Sequence, residues 1–332
     1  MIEINPMGTD RYIITVKRPN KEIFQLLNIG ATWLNWQTPK GVEIIARYHD
    51  LNLYPDRIAY LGATIGPFVG RIKNGRVPIG EQRFGQDDSL EHFLHGGHQG
   101  CAFIPFMIDR VQEDSEESVV VLKAEYVHPD LPGRYETRVI YTFRNRSVKV
   151  RFETKADTLT LCNMTQHAYF NLEGRFTSLE HHQLQIHGSQ VVLSSEELLP
   201  ERIVDVDHTP YNFRHPRYLH LSTRGAESAN AILGGLDHYF ILDRERTYDI
   251  RLGLPAQNRC LSIKSTYPGI NVYSANVPPD AAMQNHVPMA MFGAIALEPQ
   301  FMPSAPIDSR FTPYTIDQHT GFCQEIHYEL EE

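Results

Sequence analysis

Cysteine is scarce in this sequence, which holds four in 332 residues. Cys101, Cys162, Cys260 and Cys323 lie far apart, and no two of them form a C-x-x-C pair. Zinc knuckles need closely spaced thiolates, and small disulfide-stabilised domains need a denser set of cysteines, so neither class fits. The spacing predicts reduced thiols in a cytoplasmic protein.

Long apolar runs and an excess of basic residues are also missing. The N-terminal stretch MIEINPMGTDRYIITVKRP lacks the basic and apolar regions of a secretory signal, and no run approaches the roughly 18 apolar residues of a membrane helix. The formal net charge of -9 does not attract nucleic acid or an anionic membrane surface. These absences predict a protein that binds neither membrane nor nucleic acid and whose ligand is small and neutral or polar.

Helical periodicity and nucleotide-binding motifs are nearly absent as well. The sequence contains no P-loop and no dinucleotide-binding G-x-G-x-x-G, so it gives no sign of phosphate or redox chemistry. The stretch SSEELLPE, which starts at Ser194, is compatible with a single helical turn that Pro200 would end.

Short segments of strict alternation dominate instead. In ETRVIYTFR the side chains of Val139, Tyr141 and Phe143 share one face, and SVKVRFE and SVVVLKAEY alternate in the same way. The dipeptide Asn145-Arg146 fits a tight hairpin between two of these strands. Many short strands must bury their faces and cover their edges, so the sequence predicts an all-β fold, a sandwich or a barrel. Composition marks no boundary, and residues 1–332 are predicted to form a single domain.

One strand-like stretch, NMTQHAYFNLEG, carries an unusual polar face. Side chains alternate along a strand, so one face would hold Asn163, Thr165, His167, Tyr169 and Asn171. Solvent-facing strands usually carry Lys, Glu and Thr, whereas this face carries amides, an imidazole and a phenol. Such groups bind ligands and exchange protons, and we interpret the face as the wall of a site.

Three other stretches place polar groups in a similar way. In GAIALEPQF an apolar strand directs Glu298 and Gln300 to one side, and in GGLDHYFIL Asp237 precedes an aromatic strand. In HFLHGGHQG, His95 comes directly before Gly96-Gly97, where a backbone without side chains can approach a ligand closely. Each residue alone is more often structural. Together they predict a functional site.

A metal site is a tempting alternative for the histidines. His92, His95 and His98 have i, i+3 spacing, but this spacing gathers ligands only on a helix, and Gly96-Gly97 disfavours a helix there. The pair His181-His182 has no stronger claim. The sequence therefore predicts no metal.

Taken in order, eight stretches resemble one family, the aldose 1-epimerases or galactose mutarotases. They are LNIGATWLNWQTPKG, YLGATIGPFVGRIKNGRV, FLHGGHQG, VHPDLPGRYETRVIYTF, NMTQHAYFNLEG, GLDHYFIL, PGINVYSANV and AIALEPQFMP. The resemblance implies a large antiparallel β-sandwich with a carbohydrate cleft on one sheet. It also implies an aldose as the small-molecule partner, no cofactor, and a monomer or homodimer.

The same resemblance implies roles for individual residues. His167 would be the general acid at the ring oxygen of the sugar, Glu298 the general base at the anomeric hydroxyl, and His95 a group that polarises the ring oxygen. A histidine and a partly buried glutamate suit a reaction in which acid and base exchange roles. The implied substrate-binding residues are Arg71, Asp237, Gln300, Tyr169 and Asn271.

Several positions depart from the pattern of the family. Where relatives commonly have Arg, Asn, Trp, Gln, Thr and Asp, this sequence has Pro67, Gly70, Phe106, Asn271, Pro299 and Ser304. The proposed acid and base match the family pattern, whereas several residues expected to bind the sugar hydroxyls differ from it. The sugar is therefore left open.

Other functions also remain open. A hexose-6-phosphate 1-epimerase would need a further basic cluster, and the one basic run is RIKNGR from Arg71 to Arg76. A non-catalytic carbohydrate-binding sandwich would bind sugar without accelerating anomer exchange. An all-β interaction protein with merely solvated polar faces would not bind sugar.

Overall fold

Short β-strands make up nearly all of the regular structure, as the alternating segments predict. A computed structural model describes residues 1–56, 59–85, 92–222, 232–243, 246–303 and 314–332. Within these residues the helices are single 3-10 turns at Leu51–Leu53, Lys73–Gly75, Gly97–Gln99, Cys101–Phe103 and Pro255–Gln257. None of the helices in the described part of the chain is long and apolar enough to cross a membrane.

The described strands are numbered in chain order. The first are β1 (Ile2–Pro6), β2 (Tyr12–Lys17), β3 (Ile23–Leu27), β4 (Thr32–Gln37), β5 (Thr64–Ile65), β6 (Arg71–Ile72), β7 (Arg76–Ile79), β8 (Gln82–Gly85), β9 (Phe93–Leu94) and β10 (Met107–Glu113). The next are β11 (Ser118–Val127), β12 (Arg134–Arg144), β13 (Ser147–Ala156), β14 (Thr160–Leu161), β15 (Thr165–Gln166), β16 (Tyr169–Phe170), β17 (Gln183–Ile186), β18 (Gln190–Ser194), β19 (Pro200–Asp205) and β20 (Arg217–Tyr218). The last are β21 (Leu221–Ser222), β22 (Ile232–Leu233), β23 (Asp237–Ile241), β24 (Ile250–Leu254), β25 (Arg259–Ser265), β26 (Gly269–Tyr273), β27 (Ile295–Gln300), β28 (Thr315–Ile316) and β29 (Phe322–Glu331).

The longest strands form a nine-stranded antiparallel sheet in the order β10-β11-β12-β13-β29-β25-β24-β17-β20. The predicted alternating segments lie at its centre, where Val139 of β12 pairs with Phe152 of β13 and both side chains are buried. The predicted hairpin is present at Asn145-Arg146, which connects Arg144 to its strand partner Ser147, and Arg146 has a positive φ of 64°. The strand and hairpin predictions are confirmed here.

A six-stranded antiparallel sheet, in the order β16-β27-β26-β23-β18-β19, carries the polar stretches. Ile295 and Leu297 of β27 are buried in the main hydrophobic core, so the alternating Glu298 and Gln300 lie on the other face. Asn271 of β26 is directly opposite Glu298. The register therefore gathers polar side chains on one face of this sheet.

The core lies between these two sheets and a third, the four-stranded sheet β1-β2-β3-β4. The ring of Trp33 on β4 is 5.1 Å from that of Tyr328 on β29 and 6.1 Å from that of Phe170 on β16. All three rings are buried and each comes from a different sheet. The predicted all-β sandwich is confirmed.

The predicted helical turn after Ser194 is wrong. The segment is the loop of the hairpin between β18 and β19, in which Ser195 N–H donates to the Leu199 carbonyl at 2.8 Å. Pro200 begins β19 instead of ending a helix. One isolated helical turn has little stability of its own, whereas pairing of the flanking strands closes this loop.

All four cysteines are free thiols, as predicted. Cys101 and Cys162 are buried, and burial raises the pKa of both thiols. Cys323 is exposed. The fold is therefore held by its core and its strand ladders, without a cross-link between these residues.

Candidate active site

A cavity of about 590 Å³ opens on the polar face of the six-stranded sheet. It brings together all eight residues that the sequence points to: Arg71, His95, His167, Tyr169, Asp237, Asn271, Glu298 and Gln300. These residues come from positions 71 to 300 of the chain, so only the fold makes them neighbours.

Glu298 and His167 form the deepest pair in the cavity. The Nε2 atom of His167 lies 3.5 Å from Oε2 of Glu298, and the side chains are 5% and 1% exposed. Burial raises the pKa of Glu298 to about 8, and the negative charge of Asp237 adds to the effect. Burial lowers the pKa of His167 to about 4. Between these pH values the pair holds one proton, which either residue can carry to or from a ligand.

His167 occupies a break in the strand that the sequence predicts as continuous. β15 ends at Gln166 and β16 begins at Tyr169. The backbone N–H of His167 donates to the Ala63 carbonyl at 2.9 Å, and its carbonyl accepts from Gly62 N–H at 2.9 Å. These bonds fix the backbone, so the imidazole is held at the cavity wall.

Only part of the predicted polar face belongs to the cavity. His167 and Tyr169 line it, whereas Asn163, Thr165 and Asn171 are fully buried and bond to backbone. Thr165 Oγ1, for example, donates to the Pro299 carbonyl at 2.7 Å. Three of the five polar side chains thus satisfy buried carbonyls, and reading them as ligand-binding groups was wrong.

His95 is held as a neutral hydrogen-bond donor. Its Nδ1 accepts from the Gly70 backbone N–H at 3.1 Å, so the ring proton resides on Nε2. Burial, with the nearby charges of His167 and Arg71, holds the pKa of His95 well below its ordinary value. The ring packs edge-on to His167 with centroids 5.3 Å apart.

The two glycines after His95 are packed tightly against other protein atoms. A Cβ on Gly96 would meet the Gly66 carbonyl oxygen at 2.5 Å, and one on Gly97 would meet the Phe93 ring at 2.6 Å. The predicted close approach of backbone is present, but its partners are protein atoms. This tight packing turns the chain so that His95, at φ 51°, reaches the cavity.

Two opposite charges line the wall beside Glu298. Arg71 Nη1 lies 3.9 Å from Asp237 Oδ2, and Asn271 Nδ2 donates to Asp237 Oδ1 at 3.3 Å. Burial raises the pKa of Asp237, while Asn271 and Arg71 act to lower it. Arg71 is the only Lys or Arg among the described lining residues, which also include the acids Asp237, Asp280 and Glu298.

Three buried polar atoms in the cavity lack a hydrogen-bond partner among the described residues. They are His167 Nδ1, Glu298 Oε2 and Gln300 Oε1. A buried polar atom left without a partner costs about 1–3 kcal/mol. A ligand with several hydroxyl groups would satisfy such atoms.

The departures from the family pattern have different locations. Gly70 has φ 78°, and a Cβ there would meet Pro303 Cγ at 2.3 Å, so the space of a longer side chain is already filled. Phe106 is fully buried in the core, and the Pro67 carbonyl accepts from Asn163 N–H. Ser304 lies outside the described residues. Of these departures, Gly70 and Asn271 line the cavity.

Three residues of the cavity have the spacing of a possible metal site. One donor atom each of His95, His167 and Glu298 lies within 4.8 Å of the others. A metal-binding histidine usually donates its second N–H to an acceptor, but Nδ1 of His95 itself accepts from an N–H. Nε2 therefore carries the proton and is not free to coordinate.

The other four histidines of the two sequence motifs do not line the cavity. Nδ1 of His92 accepts from Asn74 N–H at 3.2 Å, and His98 packs on the Phe103 ring at 5.9 Å. His182 Nε2 accepts from Leu172 N–H at 2.9 Å, and His181 lies 3.0 Å from Glu173. The histidine motif of the sequence thus contributes His95 alone to the cavity.

Aromatic lining is the feature that sequence reasoning missed. Tyr48, Tyr60, Tyr239 and Tyr273 all line the cavity. Tyr239 and Tyr273 share strand faces with Asp237 and Asn271, so period-two alternation could have found them. Tyr48 and Tyr60 come from outside the strands, where the sequence offers no such periodic signal.

The fold places the molecule in a structural class. It matches the galactose 1-epimerase from Lactobacillus acidophilus with a TM-score of 0.86 at 22% identity, covering 100% of this chain and 98% of the other. It matches an aldose epimerase homologue from C. elegans with a TM-score of 0.85 at 23% identity, covering 100% and 99%. This is the galactose mutarotase-like fold.

Sequence comparison then identifies the family. Residues 12–321 match the aldose 1-epimerase family, and the chain belongs to it. It is 27% identical to the aldose 1-epimerase of Haemophilus influenzae over 327 residues, covering 95% of this chain and 94% of that protein. It is 26% identical to the human galactose mutarotase over 290 residues, covering 82% and 80%.

Proposed function

We propose that this protein is an aldose 1-epimerase that interconverts the α and β anomers of an unphosphorylated aldose. The observation that carries the proposal is the buried pair of His167 and Glu298, with 3.5 Å between Nε2 and Oε2, inside a cavity that also holds His95. Family membership and the similarity to proteins named aldose 1-epimerase and galactose mutarotase support it.

The reaction needs two proton transfers, one at each of the two oxygens bonded to the anomeric carbon C1. The singly protonated pair reacts with its proton on His167: Glu298 removes the proton of the C1 hydroxyl while His167 donates its proton to the ring oxygen, and the C1 to ring-oxygen bond breaks. After rotation about the C1 to C2 bond, the reverse transfers close the ring as the other anomer. Both oxygens are bonded to C1, so acid and base must be close neighbours, as His167 and Glu298 are.

His95 would assist at the ring oxygen. Because its Nδ1 accepts from Gly70 N–H, its Nε2–H is directed to donate a hydrogen bond and not to take a proton. A fixed donor of this kind stabilises negative charge that develops on oxygen in the transition state. Each positioned acid or base is worth about 10²- to 10⁴-fold in rate.

The remaining lining residues would hold the sugar. Arg71 and Asp237 would bind hydroxyls, Gln300 offers an unpartnered acceptor, and Tyr169 supplies an apolar ring face beside His167. Ligand cavities typically combine apolar walls with a few directed polar groups.

Charge favours a neutral sugar over a sugar phosphate. Arg71 is the only Lys or Arg among the described lining residues, and Asp237 lies 3.9 Å from it. The described basic residues Lys73 and Arg76 of the RIKNGR run are exposed and do not line the cavity. A phosphate would meet more acids than cations there.

The test is anomer exchange measured by magnetisation-transfer NMR on glucose, galactose, xylose, arabinose, fucose and glucose 6-phosphate. We expect faster exchange for at least one neutral aldose, and a loss of about 10²-fold or more in Glu298→Gln. Glu329→Gln is the matched control, because Glu329 is exposed on β29, and it should retain full activity.

Two results would contradict the proposal. If wild type and Glu298→Gln both bind sugar and neither exceeds spontaneous exchange, the protein is a carbohydrate-binding sandwich without this activity. If exchange is enhanced for glucose 6-phosphate alone, the hexose-6-phosphate alternative is correct.

A further inference from the structure

Asn271 stands between two acids of the cavity. It lies on β26, opposite Glu298 of β27 on one side and opposite Tyr239 of β23 on the other. Asp237 lies two positions before Tyr239 on β23, so its side chain is on the same face of the sheet. The Asn271 side chain is therefore placed within reach of both carboxyl groups.

The amide group of Asn271 carries two hydrogens and can serve both acids. Its Nδ2 donates to Asp237 Oδ1 at 3.3 Å. Glu298 is the cross-strand neighbour of Asn271, so the second amide hydrogen lies within reach of its carboxyl. The Asn271 amide acts to lower the pKa of this carboxyl, which burial raises. The second Asp237 oxygen, Oδ2, faces Arg71 at 3.9 Å.

Two buried carboxyls on one wall repel one another when both are ionised. A neutral hydrogen-bond donor between them stabilises both carboxylates. It adds no positive charge that would form an ion pair with the base. The titratable and charged groups around Glu298 include His167, His95, Tyr169, Tyr273, Asp237 and Arg71 at the cavity and the buried Tyr328 of β29.

We propose that the Asn271 amide bridges the Asp237 and Glu298 carboxyls and thereby sets the basicity of Glu298. Asn271 is then a positioning residue for the base, in addition to any contact with the sugar. The inference rests on the proposed epimerase function. The proposed bridge explains why this position holds Asn in place of Gln, because the amide of a glutamine would lie one methylene further from the sheet.

The decisive measurement is the pH profile of kcat/KM for anomer exchange in Asn271→Leu, which keeps the approximate size and removes both donors. In wild type we expect a bell with limbs near pH 4 and 8, set by His167 and Glu298. In Asn271→Leu the alkaline limb should move up by about half a pH unit or more, because the carboxylate loses a donor. A half-unit rise leaves about threefold less ionised base, so the turnover number at pH 7 should fall about threefold or more while KM stays nearly unchanged.

Further variants distinguish a change in the basicity of Glu298 from a defect in folding. Asn271→Gln retains a donor and should recover part of the activity of Asn271→Leu. Asn271→Asp adds a third acid and should move the alkaline limb upward as well. Asn145→Asp makes the same chemical change in the exposed turn after β12 and should match wild type.

Two outcomes would overturn the inference. An unmoved pH profile with KM raised about tenfold would make Asn271 a sugar ligand only. If wild type accelerates no exchange at all, the proposed function fails, but the bridge can still be tested by difference infrared titration of the Glu298 carboxyl, with Glu298→Gln as the blank. An unchanged Glu298 titration in Asn271→Leu would then refute it.

Discussion

At the scale of single residues, several buried polar groups that line the cavity lower the stability of the folded protein. Glu298 is a buried acid with an unpartnered oxygen, and Gln300 and His167 also bury polar atoms without partners among the described residues. Burial of such groups lowers the free energy of unfolding, and this is common where a site must hold reactive groups ready for a ligand. The cost should be visible in stability measurements.

Removing the Glu298 charge should stabilise the protein most at high pH. The pKa of Glu298 is raised to about 8 in the folded protein, from about 4.3 in the unfolded chain. Below about pH 4.3 the protonated side chain costs no stability, and the free energy of unfolding falls as the pH rises from there to about 8. Relative to wild type, Glu298→Gln should gain up to about 1.4 kcal/mol per pH unit between pH 5 and 8. Urea unfolding at both pH values measures this, with Glu329→Gln as control. Parallel pH dependence in wild type and Glu298→Gln would contradict it.

At the scale of elements, very short strands carry the site. β6 and β9 are two residues each, and their pairing of Arg71 with Leu94 sets His95 next to Gly70. His95 N–H donates to the Gly70 carbonyl at 3.1 Å, while Gly70 N–H donates to the His95 ring. Gly70 therefore fixes both the backbone and the tautomer of His95.

Substitution of Gly70 should disturb this element specifically. Gly70→Ala meets both the positive φ of 78° and the Pro303 ring, so we expect a stability loss of about 1–3 kcal/mol and at least about tenfold slower anomer exchange. Gly41→Ala is the matched control, because Gly41 also has positive φ (83°) but has no atom within 4 Å of the added Cβ. Equal effects in both variants would show that the Pro303 contact is unimportant.

At the scale of the whole molecule, aromatic packing joins the sheets. The ring of Phe143 on β12 lies 4.8 Å from that of Phe24 on β3, and both are fully buried. This contact links the nine-stranded sheet to the four-stranded sheet, and neither residue lines the cavity.

Truncation at this contact should reduce stability without changing the chemistry of the site. Phe143→Ala should lower the free energy of unfolding by about 3–5 kcal/mol, because it leaves a cavity in the core. Val127→Ala, at a residue that is 66% exposed, should change it by less than about 0.5 kcal/mol. Denaturant unfolding of both variants is the measurement, and a loss below about 1 kcal/mol in Phe143→Ala would contradict the packing argument.

The sequence by itself determined the local features of this protein. Alternation gave the central strands, the Asn145-Arg146 hairpin and the faces of β27, because side-chain direction in a strand follows from a period of two. The helical turn predicted after Ser194 was wrong, because pairing between the flanking strands decides the conformation there. Alternation also misassigned Asn163, Thr165 and Asn171, because it shows which side chains share a face and not what lies against that face.

Only the tertiary structure decided how the site is assembled. Arg71, His95, Asp237 and Glu298 are far apart in the chain, and the register between strands brings them to one cavity. The same packing shows which nitrogen of His95 holds its proton. It also sets the shifts in pKa of His167 and Glu298, since burial and neighbouring charge are properties of the folded chain and are absent from the linear sequence.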